Sequence, residues 1–167
     1  VEDRKYFPSL LDRSGSPDFR PIAASGFAAF SRLQGMYGHV LNVYEQISGT
    51  PLRSPLLESD RPLSIVTAGV DPGHEKEWDH WYTESHVPNL LKIPGYVMAG
   101  RFRMLDHPAL DRFNSGPRYM AIYECENEAV LPTHQPGPAM HPEVKAELDR
   151  WQEYGMVHAH DFGWGIY

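Results

Sequence analysis

"WYTESHVPNLLKIPGYVMAGRFRM", Trp81 to Met104, changes its apolar period from that of a helix to that of a strand across Pro94-Gly95. At about 100° per residue, Trp78, Trp81, Tyr82, Ser85, His86 and Asn89 share one side of the helical half. Asp79, His80, Thr83 and Glu84 fall on the other side. Pro88 has no N–H to give to a helical ladder and pushes Val87 away from the α region, so a break or kink is expected just after His86. Such a break frees backbone groups beside the imidazole and opens a pocket. Beyond the turn, Arg101 and Arg103 share one face of the strand, opposite Tyr96, Met98 and Phe102.

Working outward, "LSIVTAGVD" (Leu63 to Asp71) precedes the helix and reads as a β-branched strand. After Met104, "RYMAIYECE" is another strand, "EVKAELDRWQEYG" a charged helix, and "MVHAHDFGWGIY" a final strand. The order βαββαβ is the split βαβ, an α+β ferredoxin-like arrangement in which a four-stranded antiparallel sheet carries both helices on one face. Helices are expected at about 74–92 and 141–154, with the first and third strands central. The other face of such a sheet needs a partner, which points to an oligomer.

Residues 48–62 hold three prolines and read as a linker, dividing an N-terminal segment, 1–47, from the 63–167 domain. Within 1–47, "FAAFSRLQGMYGHVLNVYE" repeats the helix, Tyr-Gly, strand pattern of the chain's last third. It is either half of a first repeat, whose other half lies outside this sequence or has diverged, or an unrelated helix–strand extension.

The 167 residues, 41% hydrophobic, suit one globular domain with some addition. No apolar stretch approaches the roughly 20 residues that cross a bilayer. A net charge of −7 without basic runs gives no footprint for nucleic acid. The single cysteine, Cys125, excludes an internal disulfide, makes a reducing cytoplasm the default location, and reads as a small packed residue.

The quoted segment resembles the signature of the EthD-like branch of the dimeric α/β-barrel superfamily. There a helix with Trp-Tyr, Glu and His-x-Pro leads through Leu-Leu and a Pro-Gly turn into a strand bearing Arg. The resemblance covers residues 63–167. It implies a homodimer whose open sheet faces pack together, and a pocket between sheet and helices. Relatives include muconolactone-type isomerases, polyketide cyclases, anthrone oxygenases and haem enzymes, so fold alone does not fix the reaction. For this branch the resemblance implies cofactor-free chemistry on small aromatic, lactone or polyketide-like compounds, with the His-x-Pro histidine, matching His86, as acid or base.

The residues support that role on their own terms. An imidazole titrates near neutrality, and one beside rings that exclude water can take and return a proton. It could equally bond a carbonyl freed by the kink. Tyr82, one turn away, is its expected helper. Trp78 and Trp81 are either pocket walls or core. His158 and His160, two apart on a strand, fall on one face roughly 7 Å from each other and can line the same pocket. No third ligand is supplied by a metal motif, so no metal or cofactor is expected there. Tyr123 is a candidate pocket wall or hydroxyl donor. Arg101 is either a clamp for a substrate carboxylate or half of a surface ion pair. The alternatives to a cofactor-free lyase, isomerase, cyclase or decarboxylase are an oxygenase-type member, either acting on an electron-rich phenolic substrate or holding haem or a metal through these histidines, and a non-catalytic dimeric binding module.

Overall fold

A computed structural model describes residues 42–51, 60–108, 110–111 and 114–167. Among these residues five strands form one antiparallel sheet: β1 (Tyr44–Gly49), β2 (Leu63–Val70), β3 (Tyr96–Met104), β4 (Tyr119–Cys125) and β5 (Ala159–Ile166), in the order β1-β3-β4-β2-β5. Omitting β1 leaves the ferredoxin-like order, with β2 and β4 central as the split βαβ pattern predicts. The sheet is therefore wider by one strand than the four-stranded expectation. β1 crosses the boundary placed at 47/48 and pairs with β3, Tyr44 opposite Met104 and Gly49 opposite Gly100. The helix expected earlier in the N-terminal segment lies outside the described residues.

Helix α1 begins as Glu75–Trp81, widens into a π-helical turn over Tyr82–His86, and returns to α geometry over Val87–Leu90. Glu75 and Glu77 in its first turn suit the positive end of the helix dipole. The expected break after His86 does not occur. The chain instead inserts an extra residue into one turn, with the Val87 N–H reaching back to the Tyr82 carbonyl, and Pro88 then sits at the start of the last α segment, where a missing N–H costs little. Helix α2 (Pro142–Arg150) is built the same way. His141 Nδ1 accepts from the Glu143 N–H at its start, at 3.2 Å, and a π turn, Trp151–Gly155, follows its end.

Both helices pack on one face of the sheet. The small side chains of Ala68, Ala99 and Ala121, all buried, let them approach, and Trp78, Val87, Leu90, Val144 and Trp151 fill the gap. Gly95 and Gly155 are among the glycines that geometry requires. Gly95 takes φ 98° in the turn into β3, a conformation that disfavours any side chain. A Cβ on Gly155 would collide with the Trp151 ring, which must lie against that backbone while the Gly155 carbonyl accepts from Trp78 Nε1 at 3.0 Å.

Two bulges overturn the simple alternation. In β3 the register passes from Tyr96 opposite Cys125 to Met98 opposite Glu124, leaving Val97 extra. Tyr96 is thereby moved to the helix-covered face, where it meets Tyr123 with ring centroids 5.8 Å apart, rather than sharing a face with Met98 and Phe102. In β5 Asp161 and Phe162 together oppose Ala68, with Asp161 at φ 49°. Trp164, opposite Val66, then faces the helices, whereas His160, opposite Gly69, faces away.

Candidate active site

Between α1, α2 and the sheet lies a cavity of about 270 Å³, close to the smallest size usual for a small-molecule site. Its walls are mostly apolar, among them Leu90, Val144, Trp151 and Trp164. The polar exceptions are His86, the Tyr82 and Tyr123 hydroxyls, Ser64, His134 and Gln152.

His86 is 6% exposed and its Nδ1 lies 3.1 Å from Glu147 Oε2. Glu147, on α2, is itself 1% exposed. Its Oε1 accepts from Asn89 Nδ2 at 3.0 Å and from Arg150 Nε at 2.6 Å, so the carboxylate is fully engaged. Burial pushes the Glu147 carboxyl up, but the His86 and Arg150 hydrogen bonds and charges together outweigh it and hold the group below its ordinary value. Burial likewise pushes His86 below the ordinary 6.5, against the opposing pull of Glu147. The ring is therefore neutral at pH 7. Facing a carboxylate, Nδ1 carries the proton, and Nε2 keeps its lone pair and has no hydrogen-bond partner among the described residues. This is the arrangement of a base oriented by a second acid.

Aromatic rings hold that base in place. Trp81 stacks on His86 at 5.2 Å, Tyr82 meets it edge-on at 4.8 Å, and Trp151 closes at 5.5 Å. The Tyr82 and Tyr123 hydroxyls are 2.8 Å apart, one donating to the other, which leaves one O–H free to donate elsewhere. Burial raises both phenols above their ordinary values, so both remain protonated. The two π turns carry Tyr82, His86 and Trp151, and π insertions recur where a helix aims side chains into a site.

The sequence-derived candidates separate into those that converge and those that do not. His86, Tyr82 and Tyr123 meet at the cavity. Trp78 is core, and Trp81 supports His86 without lining the cavity. His158 and His160 do not join His86, because the β5 bulge breaks the alternation that grouped them with Phe162 and Trp164. His160 is exposed and bonds Asp161 at 2.9 Å. These three histidines thus offer no shared set of metal or haem ligands. Arg101 is not a surface pair and does not line this cavity. It is 1% exposed and donates through Nη1 to Asp79 Oδ1 at 2.6 Å, to the Asp79 carbonyl at 3.0 Å and to Thr83 Oγ1. Its guanidinium lies 4.4 Å from the Tyr82 ring centre. Arg103 does form an exposed pair, with Glu45 of β1 at 2.9 Å.

Glu147 was missed, and so was its signal. Val144, Glu147, Leu148 and Trp151 have the i, i+3, i+4, i+7 spacing of a buried stripe, with one acid in it. His134 was missed as well. It stacks on Tyr96 at 4.0 Å, donates from Nε2 to the Pro94 carbonyl at 2.8 Å, and so turns an unprotonated Nδ1 toward the Cys125 thiol, 3.7 Å away. Burial raises the Cys125 thiol, which remains a packed, protonated group.

Residues 63–155 match the family described as a domain of unknown function (DUF4286). The chain belongs to that family. Among solved structures, the crystal structure of an ethyl tert-butyl ether d (EthD) family protein from Bacillus halodurans is similar to this DUF4286 member. The two are 17% identical, with a TM-score of 0.48 over 64% of this chain and 96% of that one. No curated protein sequence matches the chain. No helix among the described residues is long and apolar enough to cross a membrane.

Proposed function

We propose that this protein is an acid–base enzyme, a lyase, isomerase or cyclase, acting on a small aromatic, lactone or polyketide-like compound. The observation that carries the reading is the neutral, Glu147-oriented His86 at the wall of an apolar cavity. Nε2 takes a proton from a carbon next to a carbonyl, or from a phenol, and the imidazolium that forms is stabilised by the Glu147 carboxylate. Returning that proton to a different carbon isomerises the substrate; if the carbanion first attacks a second carbonyl carbon of the same molecule, the C=O π bond opens, the proton goes to the alkoxide formed and the substrate is cyclised; losing a leaving group first makes the step an elimination. The Tyr82–Tyr123 hydroxyl pair supplies a hydrogen bond to the oxygen on which negative charge develops. Proton transfer of this kind asks for no group beyond these side chains.

The substrate class follows from the walls. Tyr96, Trp151 and Trp164 offer flat faces, and among the described residues no Lys or Arg lines the cavity, so a neutral, planar compound is preferred to a carboxylate or phosphate. The resemblance of the His-x-Pro segment to EthD-like proteins supports the same class. A homodimer is part of this reading, because Ile65, Thr67, Met120 and Ile122, on the face opposite the helices, are only half-buried.

The experiment is NMR in D₂O with a panel of aryl ketones, lactones and short polyketide-like compounds. The reading predicts that the enzyme exchanges a carbon-bound proton for deuterium, or turns over, at least one of them. A panel left unchanged with enzyme and compound in equal amounts counts against it.

A further inference from the structure

The β5 bulge that removes His158 from the His86 cavity leaves it beside two other metal-binding side chains. We propose that Asp71, His74 and His158 form a site for a borderline divalent cation of the zinc type, independent of the cavity. Each residue offers one ligand atom, and the three atoms all lie within 4.8 Å of one another. Among the described residues no other set of three such ligands comes together.

The three side chains come from three elements whose backbones are tied together. Asp71 follows β2 directly, His74 is the residue before α1, and His158 precedes β5. The Asp71 N–H donates to the His158 carbonyl at 2.9 Å, and the His74 N–H donates to the Asp71 carbonyl at 2.9 Å. The two imidazoles stack with centroids 3.4 Å apart and 4° between their planes, and His158 Nδ1 lies 3.8 Å from Asp71 Oδ2. None of the three side chains makes any shorter polar contact among the described residues, so their ligand atoms are not committed elsewhere.

Distances and ligand chemistry select the cation. Zinc sits about 2.0–2.2 Å from imidazole nitrogen and carboxylate oxygen in tetrahedral geometry, which places its ligand atoms roughly 3.3–3.6 Å apart. Closing the present set onto one ion draws the ligand atoms together by up to about 1.5 Å and tilts the two stacked rings out of their parallel arrangement, which rotation about χ1 and χ2 of these exposed and half-buried side chains supplies. Two imidazoles and one carboxylate suit Zn²⁺, Co²⁺, Ni²⁺ or Cu²⁺, whereas Mg²⁺ and Ca²⁺ require a shell of oxygens. The start of a helix repels a cation by itself. Asp71 offsets this, helped by Glu77 and by Glu75, although Arg118 already pairs with Glu75 at 2.7 Å. A bound ion would clip the end of β2, the start of α1 and the start of β5 to one another.

The test uses the untagged chain stripped with EDTA, titrated calorimetrically with Zn²⁺ and followed by visible absorption with Co²⁺. One equivalent should bind, Mg²⁺ should not compete, and the melting temperature should rise with Zn²⁺. His74→Ala and His158→Ala should each weaken Zn²⁺ by at least about tenfold with unchanged circular dichroism, while His160→Ala and His86→Asn bind as the parent does. The proposal is overturned if the parent takes up no Zn²⁺ below 1 mM, a limit set at about the weakest affinity worth calling a site. It is equally overturned if binding survives both His74→Ala and His158→Ala.

Discussion

His86 Nδ1 stands 3.1 Å from Glu147 Oε2, across 61 residues of chain, and this contact joins the two helices above the cavity. It makes the histidine's protonation state a property of both helices. Replacing Glu147 with Gln removes the charge that raises the His86 pKa and leaves only a weaker, neutral hydrogen bond. The value should therefore fall further below 6.5, and turnover that depends on His86 should drop between about 10²- and 10⁴-fold. Titration of the His86 Cε1 proton by NMR reads the first effect directly; an unchanged or raised pKa would mean that the pair does not interact as described.

The same contact sets a pH dependence of stability. His86 is held neutral when folded, so as pH falls below 6.5 the unfolded chain takes up a proton that the folded chain resists, and stability declines until the folded pKa is passed. Glu147, whose folded value lies below 4.5, adds a second loss at still lower pH. Melting temperatures should thus fall from pH 7.5 to pH 5, an interval chosen to span roughly the ordinary histidine value. The His86→Asn variant should show a shallower fall over the same interval. Parallel curves for the two proteins would contradict the assignment.

Arg101 should behave as a structural residue. Its guanidinium is buried against Tyr82 and paired with Asp79, which is itself 34% exposed. Arg101→Met should cost roughly 2–4 kcal/mol, below the full cost of breaking a wholly buried pair because Asp79 keeps some water. Urea unfolding measures it. A stability within about 0.5 kcal/mol of the parent, together with a large rise in KM for a carboxylate substrate, would return Arg101 to the binding role first expected of it.

Association is a separate expectation. With Ile65, Thr67, Met120 and Ile122 half-buried on the face away from the helices, sedimentation velocity should find a species of twice the chain mass. A monomer persisting at tens of micromolar, a concentration estimated from ordinary dimer affinities, would remove the homodimer from the account.

Most of the fold was legible because each element announced itself by period and punctuation. The strand–helix–strand order, both helix positions and the central place of β2 and β4 follow from Pro94-Gly95, Asp71-Pro72-Gly73 and the alternation of β4. What escaped depended on irregularities. Alternation placed Tyr96 on the wrong face and grouped His158 and His160 with Trp164, because a one-residue bulge flips every later side chain and leaves no fixed sequence mark. Pro88 correctly signalled an irregular helix, but a π turn absorbed it where a break was expected. His86 and Tyr82 could be read from one helix. Glu147 could not be paired with them from sequence, since the contact exists only once α2 has packed beside α1.

The central claim is that His86 moves a proton, and the most direct measurement is the rate of solvent deuterium incorporation into a turned-over compound by His86→Asn beside the parent enzyme. Asn retains hydrogen-bonding capacity and most of the packing, and circular dichroism with a melt confirms the fold. The account predicts a rate lower by about 10² to 10⁴ with little change in binding, and a rate–pH profile of the parent that rises from acid as His86 loses its proton. Normal turnover by His86→Asn would contradict it.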